Sequence, residues 1–317
     1  MVISTAFVKA VAQQYPNTTI DVIAKKGIDF LLDYFPKHHQ RYIFNKEEFD
    51  GLTGAYKFGK QIRQQKKYDI FFCLPDSISS AVMAKAVGAK KRVGYKKELR
   101  SVLLTNAYAK KKGLHRAEEY TDLLQQFINA EIKTPSVELA IAANQKENAV
   151  IININSEASS RRLPAKKAVS IINILRKNIT EEIILVGSNK ETAFVDEVFN
   201  ALENKNNITN LAGKTNLNQL LTLSGNCIVM LTTDSGPAHV ANALGTHTIV
   251  LFGAGNENNT APYNKINRSI IRLGQLPCEP CVNNICKVYG TPECLIRLDE
   301  NVITQEVINV LKNKNKN

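Results

Sequence analysis

Residues 227–245 read CIVMLTTDSGPAHVANALG, and this stretch indicates the fold most directly. The opening run CIVML is apolar throughout, which predicts a strand buried on both faces of a sheet. Asp234 or Ser235 can then cap a helix with its side chain, and Pro237 suits the first helical turn. A buried strand that passes directly into a helix is the repeating unit of a parallel α/β sheet.

The same alternation of apolar strands and helices runs through both halves of the chain. Strands are predicted at residues 19–24, 68–74, 149–155, 182–187, 208–211, 227–232 and 248–252. Helices are predicted at 5–14, 54–66, 77–87 and 116–129, and beginning near 164, 190, 216 and 235. We therefore predict an α/β protein of two Rossmann-like, doubly wound domains, 1–147 and 148–317, joined by a linker at 132–148. The Lys/Asn tail from Lys312 should fray.

Composition and charge narrow the class of protein. Of the 317 residues, 44% are hydrophobic and 22% charged, and no apolar run is long enough to cross a bilayer. The amino terminus lacks the features of a secretory signal, so we expect a soluble cytoplasmic protein. The net charge is +12, and the excess lies mainly in residues 1–147, which carry 24 basic and 15 acidic side chains. That half either attracts an anionic partner or presents a solvated basic face.

The turn between the strand and the helix of the opening stretch is a candidate binding site. Doubly wound domains bind ligands at the carboxyl ends of their strands, where the first N–H groups of a helix attract phosphate. Gly236 lets a ligand approach the backbone, which predicts a diphosphate site, and Asp234 suits a sugar hydroxyl better than a phosphate. The alternative interpretation is that the motif is a well-capped helix that binds no ligand. His239, inside the helix, either faces the ligand or packs in the core.

Residues 231–263, LTTDSGPAHVANALGTHTIVLFGAGNENNTAPY, resemble the nucleotide-binding signature of the glycosyltransferase family 9 heptosyltransferases. Further stretches look like family counterparts in the same order, so the resemblance covers nearly the whole chain: 68–95, 115–124, 184–191 and 210–223. It implies a GT-B architecture, in which two Rossmann-like domains face a cleft, the first binding the acceptor and the second the donor. It also implies an inverting, metal-independent transfer of heptose from ADP-heptose to lipopolysaccharide core or a related anionic glycolipid, with no cofactor.

The resemblance extends the donor site beyond Asp234, Ser235, Gly236 and His239. Arg161 stands where the family has a lysine that neutralises the donor phosphate, and arginine can bind phosphate with two hydrogen bonds. Ser156 and Ser159 in the same turn offer hydroxyl donors, or they are ordinary polar turn residues. Glu191 is placed to accept a hydrogen bond from the ribose or adenine, although a helix cap explains it equally well.

The acceptor is expected to be an anionic glycolipid at the inner membrane surface. The basic residues assigned to it are Arg92, Lys96, Lys97 and Arg100. They would attach the protein peripherally through electrostatic attraction, without a membrane anchor. The other partner is the nucleotide sugar. We expect no nucleic acid, because the chain has no Trp and lacks interleaved aromatic residues.

The beginning of the chain departs from the family pattern. Family members open with a short strand and a Gly-Asp turn, whose aspartate is the general base, and this sequence begins at the helix that follows. The catalytic base is therefore expected to precede Met1, and the first strand of the first domain is absent. Its absence should leave two inner strand edges unpaired. The chain is then either truncated or an inactive relative.

Four of the six cysteines cluster as Cys278, Cys281, Cys286 and Cys294. By ligand count this spacing is compatible with a tetrahedral metal site, and in a cytoplasmic chain it is unlike a disulfide framework. The other reading is a set of reduced structural thiols.

Two alternative functions stay open at this point. One is another GT-B enzyme, with a different donor sugar or with epimerase activity, since a phosphate site does not identify the sugar. The more distant one is a nucleic-acid binder that uses the basic first half of the chain.

Overall fold

The computed structural model describes residues 1–36, 38–141 and 147–314. The chain divides into two compact units, the first of Met1 and Ile3–Val137 and the second of Val2 and the chain from Glu138 onwards. The division falls inside the predicted linker 132–148. Residues 142–146 of that linker, and the predicted frayed tail beyond residue 314, lie outside the described residues.

The first unit contains five strands and four α-helices among its described residues. Its strands are β1 Val22–Lys25, β2 Arg41–Phe44, β3 Ile70–Cys73, β4 Lys91–Tyr95 and β5 Asn106–Tyr108. Its helices are α1 Thr5–Gln14, α2 Gly51–Gln65, α3 Ile78–Val87 and α4 Arg116–Ile128, with 3-10 turns at Val2–Ser4, Asp29–Tyr34 and Glu98–Leu103.

These strands form two separate parallel sheets, β1–β2 and β3–β4–β5. Among the described residues, no strand pairs with the second edge of β1 or of β3. Helix α1 packs beside this region, where Phe7 meets Phe72 of β3 edge to face at 5.1 Å between ring centroids. Phe7 and Val11 also bury against Leu124 of α4.

A buried carboxylate links the two sheets of the first unit. Asp21, just before β1, accepts hydrogen bonds from the Lys66 ammonium at 2.7 Å and the Tyr68 hydroxyl at 2.6 Å, both just before β3. The Tyr68 and Tyr42 hydroxyls lie 2.9 Å apart, which adds β2 to the cluster. Burial raises the pKa of Asp21, but the hydrogen bonds from Lys66 and Tyr68 outweigh it and hold that pKa below its ordinary value.

The second unit contains six strands and seven α-helices among its described residues. Its strands are β6 Ala149–Asn153, β7 Glu182–Leu185, β8 Ile208–Asn210, β9 Val229–Thr233, β10 His247–Phe252 and β11 Arg268–Arg272. Its helices are α5 Ala165–Asn178, α6 Thr192–Asn200, α7 Leu217–Asn226, α8 Gly236–Ala243, α9 Glu257–Thr260, α10 Glu293–Ile296 and α11 Glu300–Lys314. Three-residue 3-10 turns lie at Ser159–Arg161, Asn189–Glu191 and Lys265–Asn267.

All six strands are parallel, in the order β11-β10-β9-β6-β7-β8. Strand β6 is buried throughout and has an apolar cluster on each face. On one face, Val150 and Ile152 pack with residues of α5, α6 and α11, and on the other, Ile151 packs with Ala241 of α8. Helices on both faces of a parallel sheet define the predicted doubly wound fold.

The prediction missed four strands, β2, β4, β5 and β11. Strand β4 reads KRVGY and β11 reads RSIIR, so basic residues interrupt the apolar runs that indicate buried strands. The fold satisfies these basic side chains, since Arg92 of β4 donates to the backbone carbonyls of Leu103 and Ala89, and Arg272 of β11 pairs with Glu257 at 2.9 Å. Strands β2 and β5 read RYIF and NAY, so each also begins with a polar residue.

Replacing Asp21 with Asn should lower the free energy of unfolding at pH 7 by about 2 kcal/mol, because the ion pair and charge-assisted bonds are lost. Since the folded pKa of Asp21 is depressed, this stabilisation is present above its ordinary value of 3.8 and is lost as pH falls through the folded value. The difference between wild type and variant should therefore shrink in acid. Urea unfolding from pH 3 to pH 7 measures it.

The matched control is Asp69→Asn, which removes an exposed ion pair with Lys90. It should change stability little at any pH. An equal loss in both variants, or a pH-independent loss in Asp21→Asn, would contradict the linking role of Asp21.

Candidate functional site

The strand order of the second sheet reverses between β6 and β9. From β6 the chain continues towards β7, and from β9 it continues through α8 in the opposite direction towards β10. The connections after these two neighbouring strands therefore diverge, which opens a crevice at their carboxyl ends. The two turns that border this crevice are residues 154–164 after β6 and residues 234–235 after β9.

A buried amide and hydroxyl network fixes the two turns to each other. The Asn153 side-chain amide donates to the Thr232 hydroxyl and to the Ser235 hydroxyl, each at 3.0 Å. The Asn155 amide donates to the Val186 carbonyl at 2.9 Å, and the Thr233 hydroxyl donates to the Asn155 carbonyl. The sequence analysis missed both asparagines. Their signal was the polar sequence NIN at the end of the apolar strand AVII.

Asp234 and Arg161 meet across the crevice as an ion pair, with 3.3 Å between Arg161 Nη1 and Asp234 Oδ2. The Asp234 side chain is only 6% exposed, whereas the Arg161 side chain is one third exposed. Burial raises the pKa of Asp234, and the Arg161 guanidinium partly offsets that rise. Gly255 borders the same carboxylate so closely that a Cβ on it would lie 2.2 Å from Asp234 Oδ2.

The start of helix α8 differs from its predicted capping. Ser235 has an extended backbone and makes no side-chain capping bond, because its hydroxyl accepts from Asn153 and donates to the Thr233 carbonyl at 3.1 Å. Asp234 is turned to Arg161. The prediction that one of them caps the helix is therefore wrong. Gly236 is exposed, and a Cβ built on it meets no atom within 4 Å, so the space before the helix is open.

Other predicted donor-site residues lie at the same end of the sheet or on α8. Ser156 is buried, and its carbonyl accepts from the Arg162 guanidinium at 3.1 Å. Glu191, after β7, accepts hydrogen bonds from the backbone N–H and the hydroxyl of Ser188, both at 2.8 Å. Its carboxylate therefore takes part in a helix cap, which was the alternative interpretation of this residue. His239 lies half-buried on α8.

The predicted basic face of the first unit needs a correction. Arg100 is only 2% exposed, and its guanidinium lies 3.5 Å from an Asp76 carboxylate oxygen, so its predicted place on the exposed face is wrong. The guanidinium of Arg92 donates to the backbone carbonyls of Leu103 and Ala89. Lys96 and Lys97 are exposed as predicted.

The physical reason is the three-residue period of the 3-10 turn Glu98–Leu103. Leu99 and Val102 lie on its outer face and are 75% and 80% exposed, while Arg100 points inward. Counting charges along the chain does not reveal this periodicity, and therefore does not show that Arg100 is buried.

The carboxyl edge of β3–β4–β5 carries a second charged cluster, which the sequence analysis missed. Lys110 contacts Asp76 at 3.0 Å and Glu119 at 3.2 Å, and Lys111 contacts the buried Asp122 at 2.6 Å. The Tyr95 hydroxyl donates to Asp122, and burial together with that carboxylate raises the pKa of Tyr95. The sequence signal for this cluster was HRAEEYTDLL, which contains Glu119 and Asp122 and was interpreted only as part of the family resemblance.

Comparison with known proteins decides the family. The profile of "Glycosyltransferase family 9 (heptosyltransferase)" matches residues 55–290, well over half of the chain. The chain belongs to glycosyltransferase family 9. It is 29% identical over 307 residues to lipooligosaccharide heptosyltransferase 2 of Haemophilus influenzae, covering 86% of this chain and 85% of that protein.

Solved structures show which fold the chain has. The Escherichia coli ADP-heptose lipopolysaccharide heptosyltransferase II superimposes with a TM-score of 0.82 at 22% identity, covering 99% of this chain and 96% of that one. E. coli heptosyltransferase WaaC with ADP gives a TM-score of 0.76 at 14% identity, covering 98% and 95%. The fold is therefore that of the GT-B glycosyltransferases, as predicted.

Family 9 membership makes the protein a glycosyltransferase, which confirms the predicted reaction class. Among the described residues, no helix has the length and apolar character that crossing a bilayer requires.

We predict that Arg161→Met destabilises the second unit by about 2 kcal/mol at pH 8, because it leaves the Asp234 carboxylate buried without its partner. The folded pKa of Asp234 is already raised above its ordinary 3.8 and should rise further, so the loss should grow as pH rises from 5 to 8. Denaturant unfolding at the two pH values measures it.

The double variant Arg161→Met/Asp234→Asn is the control, since it removes both charges. It should regain most of the lost stability. An equal loss at both pH values, or no recovery in the double variant, would show that the pair is not coupled.

Proposed function

We propose that this glycosyltransferase transfers a heptose from ADP-heptose to lipopolysaccharide core or a related anionic glycolipid. The observation that carries the proposal is the open backbone at Gly236, at the point where the strand order reverses and beside the partly exposed Arg161. Family membership and the names of the relatives support heptose as the sugar. The transfer itself, as proposed, uses no metal and no cofactor.

The donor diphosphate is proposed to bind across the start of α8. The first N–H groups of a helix and its dipole favour negative charge, and Gly236 leaves room for phosphate oxygens to approach them. Pro237 has no N–H to leave unsatisfied there. The buried Asn153 network holds the Ser235 hydroxyl and keeps this turn in one conformation.

Arg161 is proposed to neutralise the phosphate charge that grows when the bond between the sugar and the diphosphate breaks. Only Nη1 of its guanidinium is directed at Asp234, which leaves further N–H groups for phosphate oxygens. Asp234 acts here as a positioning residue, because it fixes the guanidinium at the border of the crevice. Hydrogen-bond donors that are already in position where negative charge develops stabilise the transition state.

The acceptor hydroxyl is proposed to attack the anomeric carbon from the face opposite the diphosphate, which inverts the configuration. A sugar hydroxyl must lose its proton to a base during this attack. We assign that base to none of the described residues, and the residues proposed above bind and stabilise the donor only.

The acceptor is proposed to reach the enzyme at an anionic membrane surface, through the exposed residues Lys96, Lys97, Leu99 and Val102. Two lysines next to two exposed apolar side chains match an interface with anionic head groups above acyl chains. Arg100, being buried, supports this segment from inside through Asp76. Peripheral attachment to the inner membrane is part of the proposal.

Gly236→Val should abolish binding of ADP and ADP-heptose, because its side chain would fill the space before α8. The fold should persist, since a Cβ at this position meets no atom within 4 Å. Calorimetric titration with ADP, together with thermal unfolding, measures both effects. Gly236→Ala is the graded control and should weaken ADP binding less than valine does. Unchanged ADP affinity in the valine variant would mean that the phosphate site lies elsewhere.

Lys96→Ser/Lys97→Ser should weaken binding to vesicles of phosphatidylglycerol and phosphatidylcholine by about thirtyfold, at about 1 kcal/mol per lysine. The remaining binding should depend less on salt, while ADP affinity stays the same. Co-sedimentation at low and high salt measures this.

The matched control is Lys177→Ser/Lys205→Ser, which removes two exposed lysines from the second unit. It should leave vesicle binding unchanged. Equal losses in the two pairs would indicate a nonspecific effect of net charge and contradict the assigned surface.

A further inference from the structure

Arg272 ends strand β11 at the carboxyl edge of the second sheet, and the proposed transfer gives it no role so far. It is in register with Phe252, the last residue of β10, so it lies beside the turn that follows β10. Its side chain is only 12% exposed. A buried guanidinium requires partners for its charge and for its five N–H groups, so its contacts show what it holds in place.

The guanidinium of Arg272 joins the turn after β10 to the start of α9. Its Nη2 donates to the Gly255 carbonyl and lies 2.9 Å from Oε2 of Glu257. One nitrogen therefore contacts both ends of the short segment 255–257. Because β11 is hydrogen-bonded to β10 along its length, these contacts fix the segment against the edge of the sheet.

Glu279 holds the guanidinium from a third side. Its side chain is 4% exposed, and its Oε1 lies 3.8 Å from Nη1 of Arg272. Its Oε2 accepts from the backbone N–H groups of Gln275 and Leu276. In the described part of the chain Oε1 accepts no hydrogen bond, and Glu279 borders a small cavity that the four clustered cysteines also line. A buried carboxylate oxygen of this kind depends on a nearby positive charge, which Arg272 supplies.

Gly255 passes the position of Arg272 on to Asp234. A Cβ on Gly255 would lie 2.2 Å from Asp234 Oδ2, so no side chain separates this backbone from the carboxylate. In such close packing, a shift of the turn moves the carboxylate directly. Two cations also act on Asp234 at a distance. Burial raises its pKa, and Arg161 and then Arg272 offset part of that rise.

We propose that Arg272 is a positioning residue of the donor site, which holds Gly255 and Glu257 and thereby fixes the Asp234 carboxylate at the border of the crevice. This inference rests on the proposed function and adds to it. Asp234 Oδ2 faces Arg161, and within the described residues Oδ1 accepts no hydrogen bond. Oδ1 is therefore available to a hydroxyl of the donor sugar. Arg272 acts through Gly255 and Asp234 and not by contact with the donor.

Binding of ADP and of ADP-heptose to the full chain tests this role without requiring transfer. Arg272→Met should raise the Kd for ADP-heptose by about tenfold, because a hydrogen bond from a sugar hydroxyl to a charged acceptor is lost. ADP has no heptose, so its Kd should rise less. Arg272→Lys keeps the charge but lacks the planar fork, and should give an intermediate loss. Unchanged affinity, or equal losses for the two ligands, would overturn the proposal.

The charge of Arg272 is tested by titrating Asp234 itself. The pKa is measured by NMR of the labelled carboxyl carbon, with Asp234→Asn identifying the signal. Arg272→Met should raise this pKa, because a neighbouring positive charge stabilises the ionised form. As pH falls, the Met variant should therefore lose ADP-heptose at a higher pH than wild type. Arg272→Lys should stay near wild type. An unchanged pKa in folded Arg272→Met would contradict the coupling.

Arg268→Met is the matched control. Arg268 begins the same strand at its amino end, and its guanidinium likewise donates to a backbone carbonyl, that of Pro262. The control should leave both Kd values and the Asp234 pKa unchanged. Effects equal to those of Arg272→Met would show a general loosening of β11 and overturn the positioning role.

Glu257→Gln covers the case in which Arg272→Met does not fold. It removes one charged partner of the guanidinium from a partly exposed position and should raise the Kd for ADP-heptose less than Arg272→Met. Wild-type affinity in both Glu257→Gln and Arg272→Lys would overturn the proposal. Failure of the proposed function is distinguishable, since wild-type chain would then bind ADP but gain nothing from the heptose.

Discussion

In the second unit the chain leaves β6 in one direction along the sheet and leaves β9 in the other, and right-handed crossovers then place the following helices on opposite faces. The carboxyl ends of these two neighbouring strands are therefore uncovered. The Asn153 amide joins the two ends, and Gly236 leaves the helix start open between them. Every group assigned to the donor depends on this one reversal of strand order.

The ion pair at the crevice follows from the burial of the Asp234 carboxylate. A carboxylate as buried as Asp234 is costly unless a cation faces it, and Arg161 meets that requirement from the neighbouring turn. The pairing also holds the guanidinium where a diphosphate would meet it. Gly255 is needed beside Asp234 for a steric reason, since a Cβ at this position would lie 2.2 Å from Asp234 Oδ2.

In the first unit, short-range periodicity decides which charges reach solvent. Arg100, Leu99 and Val102 occupy one 3-10 turn, and its three-residue period exposes the apolar pair and buries the arginine. Counting basic residues along the chain predicted the opposite for Arg100. The surface that results, two lysines beside two apolar side chains, suits an anionic interface better than a purely basic face would.

The sequence by itself determined the repeated strand–helix units, the doubly wound class, the family and the turn at 234–236, because these features depend on local periodicity and on contiguous motifs. It also contained the spacing of the four cysteines. Only the tertiary structure decided that Asn153 reaches Ser235, that Arg161 pairs with Asp234 and that the cysteines line one cavity. These contacts join residues far apart in the chain, or depend on which way a turn rotates its side chains. The order of the residues does not show such contacts, because they form only when parallel strands bring distant turns to one edge of a sheet.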